Sequence, residues 1–157
     1  MNLTIDSTIF VEFVVNGTHQ ALCYDLLKTV YIKSSIVLYE PSILLFEFIN
    51  AVDRSTNKPK NKIERNKRIE KTLEICNKFI NRHNSHFLDL DVNLWKDWAK
   101  HTKNTFLHKT QDEIFLYIAC KNKASLVTLD SQMILKPKCV AGDCKVISPY
   151  ECLKLLK

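Results

Sequence analysis

Leu3-Thr4-Ile5-Asp6-Ser7, LTIDS, is a short apolar run halted by an acid. Val127-Thr128-Leu129-Asp130-Ser131, VTLDS, repeats the arrangement near the other end of the chain. In each, the apolar and β-branched residues specify a strand, and Asp-Ser marks the junction with a following helix. If the two strands are neighbours in one parallel sheet, both aspartates fall at its carboxyl edge, where open α/β sheets bind ligands. The competing reading is that each Asp merely caps its helix, a common task at such a junction.

Working outward, TIFVEFVV reads as a helix that Ser7 can cap and Asn16-Gly17 ends, and QALCYDLLKTVYI carries a helical stripe at Leu22, Leu26, Leu27 and Val30. SIVLY is a β-branched run, and Pro41 then opens the helix PSILLFEFINAV, with Ser42 as its candidate cap. An amphipathic helix follows with Ile69, Leu73, Cys76 and Ile80 on one face. HFLDLD is a short strand, VNLWKDWAKH a helix, and Thr110 to Glu113 a capping box ahead of IFLYIAC. SLVTL and KVI complete the strands, and YECLKLL the helices. Strands alternating with helices specify an α/β fold with a mainly parallel central sheet flanked by helices. The 157 residues make one domain, 1–157, enough to bury roughly 70% of the unfolded surface. Within it, about 54–95 forms a basic, mostly helical extended region.

Composition removes several function classes. The chain has two glycines, Gly17 and Gly142, so neither a P-loop nor a GxGxxG turn can be written. No CxxC pair and no finger-like His spacing occurs, which argues against zinc. Cys23, Cys76 and Cys120 lie in apolar helical patterns as small core residues, whereas Cys139 and Cys144 bracket VAGD, a spacing open to a disulfide. The apolar runs are far shorter than the roughly 20 residues of a membrane span, and Asp6 breaks any signal-peptide core, so a cytoplasmic protein is expected.

The net charge is +6, and Arg54 to Lys71 alone, with eight basic and two acidic residues, accounts for all of it. Lys58, Lys60, Lys62, Arg65, Lys67, Arg68 and Lys71 are therefore candidate contacts to a polyanion such as RNA. The same run also reads as a solvated helix face laced by Glu64–Arg68 and Glu74–Lys78 ion pairs. Both readings stand at this level.

Two further acids join Asp6 and Asp130. Glu47 sits in ILLFEFINAV, apolar almost all round, where a carboxylate is costly to bury without a partner; Asn50 shares its face. Asp112 opens the helix DEIFLYIAC, where the helix dipole favours an acid. Four converging carboxylates repel one another, and a hard divalent cation, Mg²⁺ or Mn²⁺, removes that conflict. The matching chemistry is metal-assisted phosphodiester hydrolysis.

These residues together resemble the PIN domain, specifically the VapC-type ribonuclease toxins of toxin-antitoxin pairs. LTIDS is similar to that family's first strand and its Asp, EPSILLFEFINAV to the segment carrying Glu with Asn three later, and TQDEIFLYIACKNKASLVTLD to the block supplying the last two acids. The resemblance implies that Asp6, Glu47, Asp112 and Asp130 ligate the metal and carry catalysis, with Ser7, Asn50 and Thr128 supporting them. It further implies neighbouring first and fourth strands, RNA as substrate, a small cognate antitoxin and a homodimer. The stretch from Asp53 to Lys109 departs from the family pattern, Glu113 replaces its usual small residue, and no fifth acid follows Asp130. The alternatives are an RNA-processing PIN nuclease with no antitoxin, or a non-catalytic RNA-binding scaffold whose acids only cap helices. Asp89, Asp91 and Asp97 read as caps or surface acids, and His19, His83, His86, His101 and His108 as surface residues.

Overall fold

The computed structural model describes residues 1–54, 61–102, 110–135 and 144–157, the side chains of residues 95, 99–102 and 110–112 excepted. Strand β1 (Asn2–Ile5) leads to helices α1 (Ser7–Val14) and α2 (Gln20–Ile32), and β2 (Val37–Pro41) to α3 (Leu44–Arg54) and α4 (Lys62–Ile80). Then follow β3 (Ser85–Leu88), α5 (Val92–Thr102), α6 (Thr110–Lys121), β4 (Ser125–Val127), α7 (Ser131–Leu135), β5 (Val146–Ile147) and α8 (Pro149–Leu155). All strand pairs are parallel, in the order β3-β2-β1-β4-β5. The chain thus builds outward from β1 to β3 and then returns to lay β4 on the other side of β1. The α/β reading holds, and the sheet reverses its winding between the two strands that end in LTIDS and VTLDS.

Because helices cover both faces, β1 is buried nearly throughout, with Leu3 and Ile5 at 0% exposure. One face packs under α6, which lies on β1, β2 and β4, and Trp98, Ile114, Tyr117 and Ile118 form a separate cluster between α5 and α6. The main core gathers Ile9, Phe10, Leu26, Phe48, Phe79 and Cys152 from α1, α2, α3, α4 and α8. Burial pushes the Cys23 thiol up to about 12 and those of Cys76 and Cys152 up to about 11, as expected of core residues rather than nucleophiles. Cys144 pairs with Cys120 in a disulfide, and Cys139 lies outside the described residues.

Four local expectations are corrected. Pro41 does not open α3 but closes β2, pairing with Leu88, because a proline at a strand end forfeits no interior ladder bond. Ser42 accordingly donates its N–H to the Leu88 carbonyl instead of capping a helix. Asp6, not Ser7, is the N-cap of α1, accepting from the Thr8 N–H at 3.1 Å. The buried face of α4 is Thr72, Ile75, Cys76 and Phe79, while Leu73 and Ile80 are exposed: the helix is rotated so that Phe79 meets Phe10 edge-on at 5.2 Å. The ion pairs Glu64–Arg68 (2.9 Å) and Glu74–Lys78 (2.6 Å) form as expected. At the end of α1, Asn16 takes the left-handed conformation (φ 55°), and Gly17 leaves room for the Glu12 carboxylate, which accepts the His19 N–H at 2.7 Å.

Arg82 ties the amino edge together. It is buried and donates to the carbonyls of Lys33 (2.7 Å), Ile36 (2.8 Å) and Asn84 (3.1 Å), joining the end of α2 and the entry to β2 to the turn before β3. Arg82→Met keeps much of the apolar stem and removes every donor, so urea unfolding is expected to show a loss of about 2–3 kcal/mol. No helix among the described residues is long and apolar enough to cross a membrane.

Candidate active site at the carboxyl edge of the sheet

Register delivers Asp6. Ile5 pairs with Val127, and the Asp6 N–H continues that ladder by donating to the Val127 carbonyl at 3.0 Å. Its carboxylate is 4% exposed and already holds three donors: Thr8 N–H and the Ser7 hydroxyl (3.3 Å) on Oδ1, and the Thr128 hydroxyl on Oδ2 at 2.5 Å. Thr128 is fully buried, and its Oγ1 accepts from the Asp130 N–H at 3.0 Å. One hydroxyl therefore fixes both aspartates of the twin pentapeptides at the reversal point. Thr128→Val should cost about 1–3 kcal/mol in urea unfolding by leaving those groups unpaired, and Thr128→Ser should recover most of it.

Asp130 also caps α7, accepting from Gln132 N–H (2.7 Å) and Met133 N–H (3.4 Å) on Oδ1. Its Oδ2 has no hydrogen bond among the described residues, and a carboxylate offers about four acceptor positions, so both aspartates keep capacity for another ligand.

Glu47 lies in the first turn of α3, half-buried, and Asn50 one turn further is exposed. Since α3 follows β2, its amino end stands at the carboxyl edge of the sheet. Helix α6 packs on the sheet and feeds β4 through a short turn, so it runs back against the strands and its first residues, Asp112 among them, come from the same edge. The backbone of Asp112 is in that helix, and its side chain lies outside the described part. Among the described residues, no group of three or more His, Cys, Asp or Glu side chains is gathered to hold a metal ion.

Two further acids are buried, Glu40 and Glu113. Glu40, near the end of β2, is 1% exposed: its Oε1 accepts the Ile5 N–H at 2.8 Å, and its Oε2 has no hydrogen bond among the described residues. The β1–β2 register runs from Asn2–Val37 to Leu3–Leu38, and beyond it side chains take over, the Thr4 hydroxyl donating to the Tyr39 carbonyl (2.8 Å) and Glu40 receiving Ile5. Burial first, and then the nearby Asp6 charge, hold the Glu40 carboxyl well above its ordinary value, against the opposing Ile5 N–H. Glu113, beside Asp112, is 7% exposed, and its Oε2 likewise lacks a hydrogen bond among the described residues. The signal for Glu40 is an acid abutting an apolar strand run, obscured because the following Pro41 reads equally as a helix start.

The basic segment is divided by α4. Arg65 and Arg68 face a cleft against α3, Lys71 stands 4.4 Å from the Phe13 ring centre, and Lys62 and Lys67 are exposed. Lys58 and Lys60 lie outside the described residues.

No protein family's profile and no curated protein sequence matches this chain. Among solved structures, it is similar to a chain in the crystal structure of VapBC2 from Rickettsia felis bound to a DNA fragment from their promoter. The TM-score is 0.59 at 16% identity, over 94% of this chain and 98% of the other. The likeness is one of fold. It extends the α/β reading across the length of a VapBC2 chain, including α4 and α5, which lie in the stretch that departs from the family pattern.

Proposed function

We propose that this protein is a metal-dependent endoribonuclease of PIN type, acting at the carboxyl edge of its sheet. The observation that carries the reading is the Asp6–Thr128–Asp130 connection at the winding reversal between β1 and β4. The fold neighbour supports it, being a complex of the kind this sequence resembles. On that support we assign the chain a small antitoxin partner and the cytoplasm as its place, and homodimerisation as part of the same proposal.

The donor set fits Mg²⁺ or Mn²⁺: Asp6 and Asp130 offer hard oxygens with acceptor positions to spare, and Mg²⁺ is commonly held by one or two carboxylates with waters completing its shell. Glu47 and Asp112, entering on α3 and α6, would complete the ligand set. When bound, the cation supplies charge neutralisation at the phosphate and a more acidic water. The chain's own part is positional. Ser7, Thr8 and Thr128 hold the Asp6 carboxylate in one orientation, and Thr128 fixes the Asp130 backbone. Asn50, one turn beyond Glu47, would meet the substrate strand. Burial holds the Glu40 carboxyl well above its ordinary value, which disfavours a second negative charge behind Asp6.

Hydrolysis by in-line attack of water on phosphorus breaks the P–O3′ bond and leaves a 5′-phosphate and a 3′-hydroxyl. Attack by the ribose 2′-hydroxyl, which needs no metal, leaves a cyclic phosphate. End-group analysis of a labelled RNA digested with Mg²⁺, with Mn²⁺ and with EDTA is expected to give 5′-phosphate products in metal alone. Cyclic phosphate, or cleavage undiminished by EDTA, would refute the proposal. One observation favours a second reading, an RNA-binding scaffold: Asp6 and Asp130 both cap helices. RNA binding without any cleavage would select it.

A further inference from the structure

We infer that the cleft between α3 and α4 is a subsite for the substrate phosphate next to the one cleaved, read by Arg65 and Arg68. This inference rests on the nuclease reading and narrows the basic segment to two of its residues. The cleft is about 220 Å³, with Ile49, Val52 and Ile69 as its apolar wall and Asn50, Arg65 and Arg68 among its polar groups. Asn50 lines it, one helical turn, about 5 Å, along α3 from Glu47. A strand lying with one phosphate at the acidic edge would therefore carry its neighbour into the cleft.

Guanidinium groups suit this task because their planar forks bind phosphate oxygens in pairs, which an ammonium cannot do. Arg65 gives its Nε to Asp53 at 2.8 Å, and its Nη groups, which have no hydrogen bond among the described residues, keep donors for a second anion. That pair is about half exposed on each side (54% and 47%), the kind worth about 0–1 kcal/mol, so an incoming phosphate can displace Asp53. Arg68 is more enclosed, 15% exposed, and Glu64 fixes it from one turn earlier at 2.9 Å, so its fork is ordered before substrate arrives. The cleft is small, and its charged groups are Arg65, Arg68 and the Asp53 that an incoming phosphate would displace. Lys62 and Lys67 stand on the same helix, exposed, and do not line it.

That contrast supplies the test. Binding of a fluorescein-labelled single-stranded RNA is measured by anisotropy in the full chain carrying Asp6→Asn, so that cleavage plays no part. Arg65→Gln with Arg68→Gln is expected to weaken binding by about tenfold or more and to reduce the salt slope by about 0.7 for each phosphate no longer neutralised. Lys62→Gln with Lys67→Gln removes the same charge and is expected to change affinity by less than about threefold. Arg65→Lys with Arg68→Lys preserves charge and should remain weakened, and thermal melts verify that each protein is folded. Equal weakening in the Gln pairs, or full affinity in the Lys pair, would overturn the subsite and leave the nuclease reading standing. If the Asp6→Asn parent binds no RNA, the subsite falls, and the nuclease reading is decided by cleavage with the unaltered protein.

Discussion

Asp6→Asn is expected to lower the rate of metal-dependent RNA cleavage by at least about a hundredfold while the protein stays folded. Asn keeps one oxygen for the Thr8 N–H, and its amide can sit against Thr128, whose hydroxyl has a second acceptor position beside the one used by Asp130 N–H. The folding cost is therefore about 1 kcal/mol, set by a hydroxyl hydrogen left without its carboxylate. The anionic oxygens are lost, and with them the site's hold on a cation. Initial rates in Mn²⁺, beside a urea melt of the same preparation, separate the two effects. A variant that unfolds would contradict the modest structural role given to this carboxylate.

The second large effect concerns Glu40. Its carboxyl is held well above the ordinary value of 4.5, chiefly by burial. An acid whose folded value is raised contributes stability that is fully present below about 4.5 and is lost as pH rises through the folded value. Each pH unit in that window costs up to about 1.4 kcal/mol. Glu40→Gln can still accept the Ile5 N–H and does not titrate, so the slope disappears. Relative to the unaltered protein in EDTA, the Gln variant should gain stability as pH rises from about 4.5 through the folded value. Parallel pH–stability curves would contradict a raised folded value for Glu40.

The twin pentapeptides show how much was legible. A strand ending in an acid is a local pattern, and two such strands are enough to suggest an edge, so the α/β class and the adjacency of β1 and β4 could be read from LTIDS and VTLDS together with the family resemblance. Glu64–Arg68 and Glu74–Lys78 were legible for the same reason, since helix neighbours are fixed by spacing alone. Glu40 was not, because its role depends on where β1 and β2 stop pairing, a tertiary fact, and because Pro41 signals a helix start as readily as a strand end. The division of the basic run was hidden likewise. Charge counts Arg65 and Lys67 alike, and only the packing of α4 on α3 and α1 turns one into a cleft and the other to solvent.

The acidic edge as the seat of phosphodiester hydrolysis is tested most directly by following one end-labelled RNA with the unaltered protein and with Asp6→Asn, each in Mn²⁺ and in EDTA. Cleavage is expected in a single condition, unaltered protein with Mn²⁺, and intact RNA in the other three. Equal cleavage by both proteins, or none by either although the RNA is bound, would contradict a hydrolytic role for that edge.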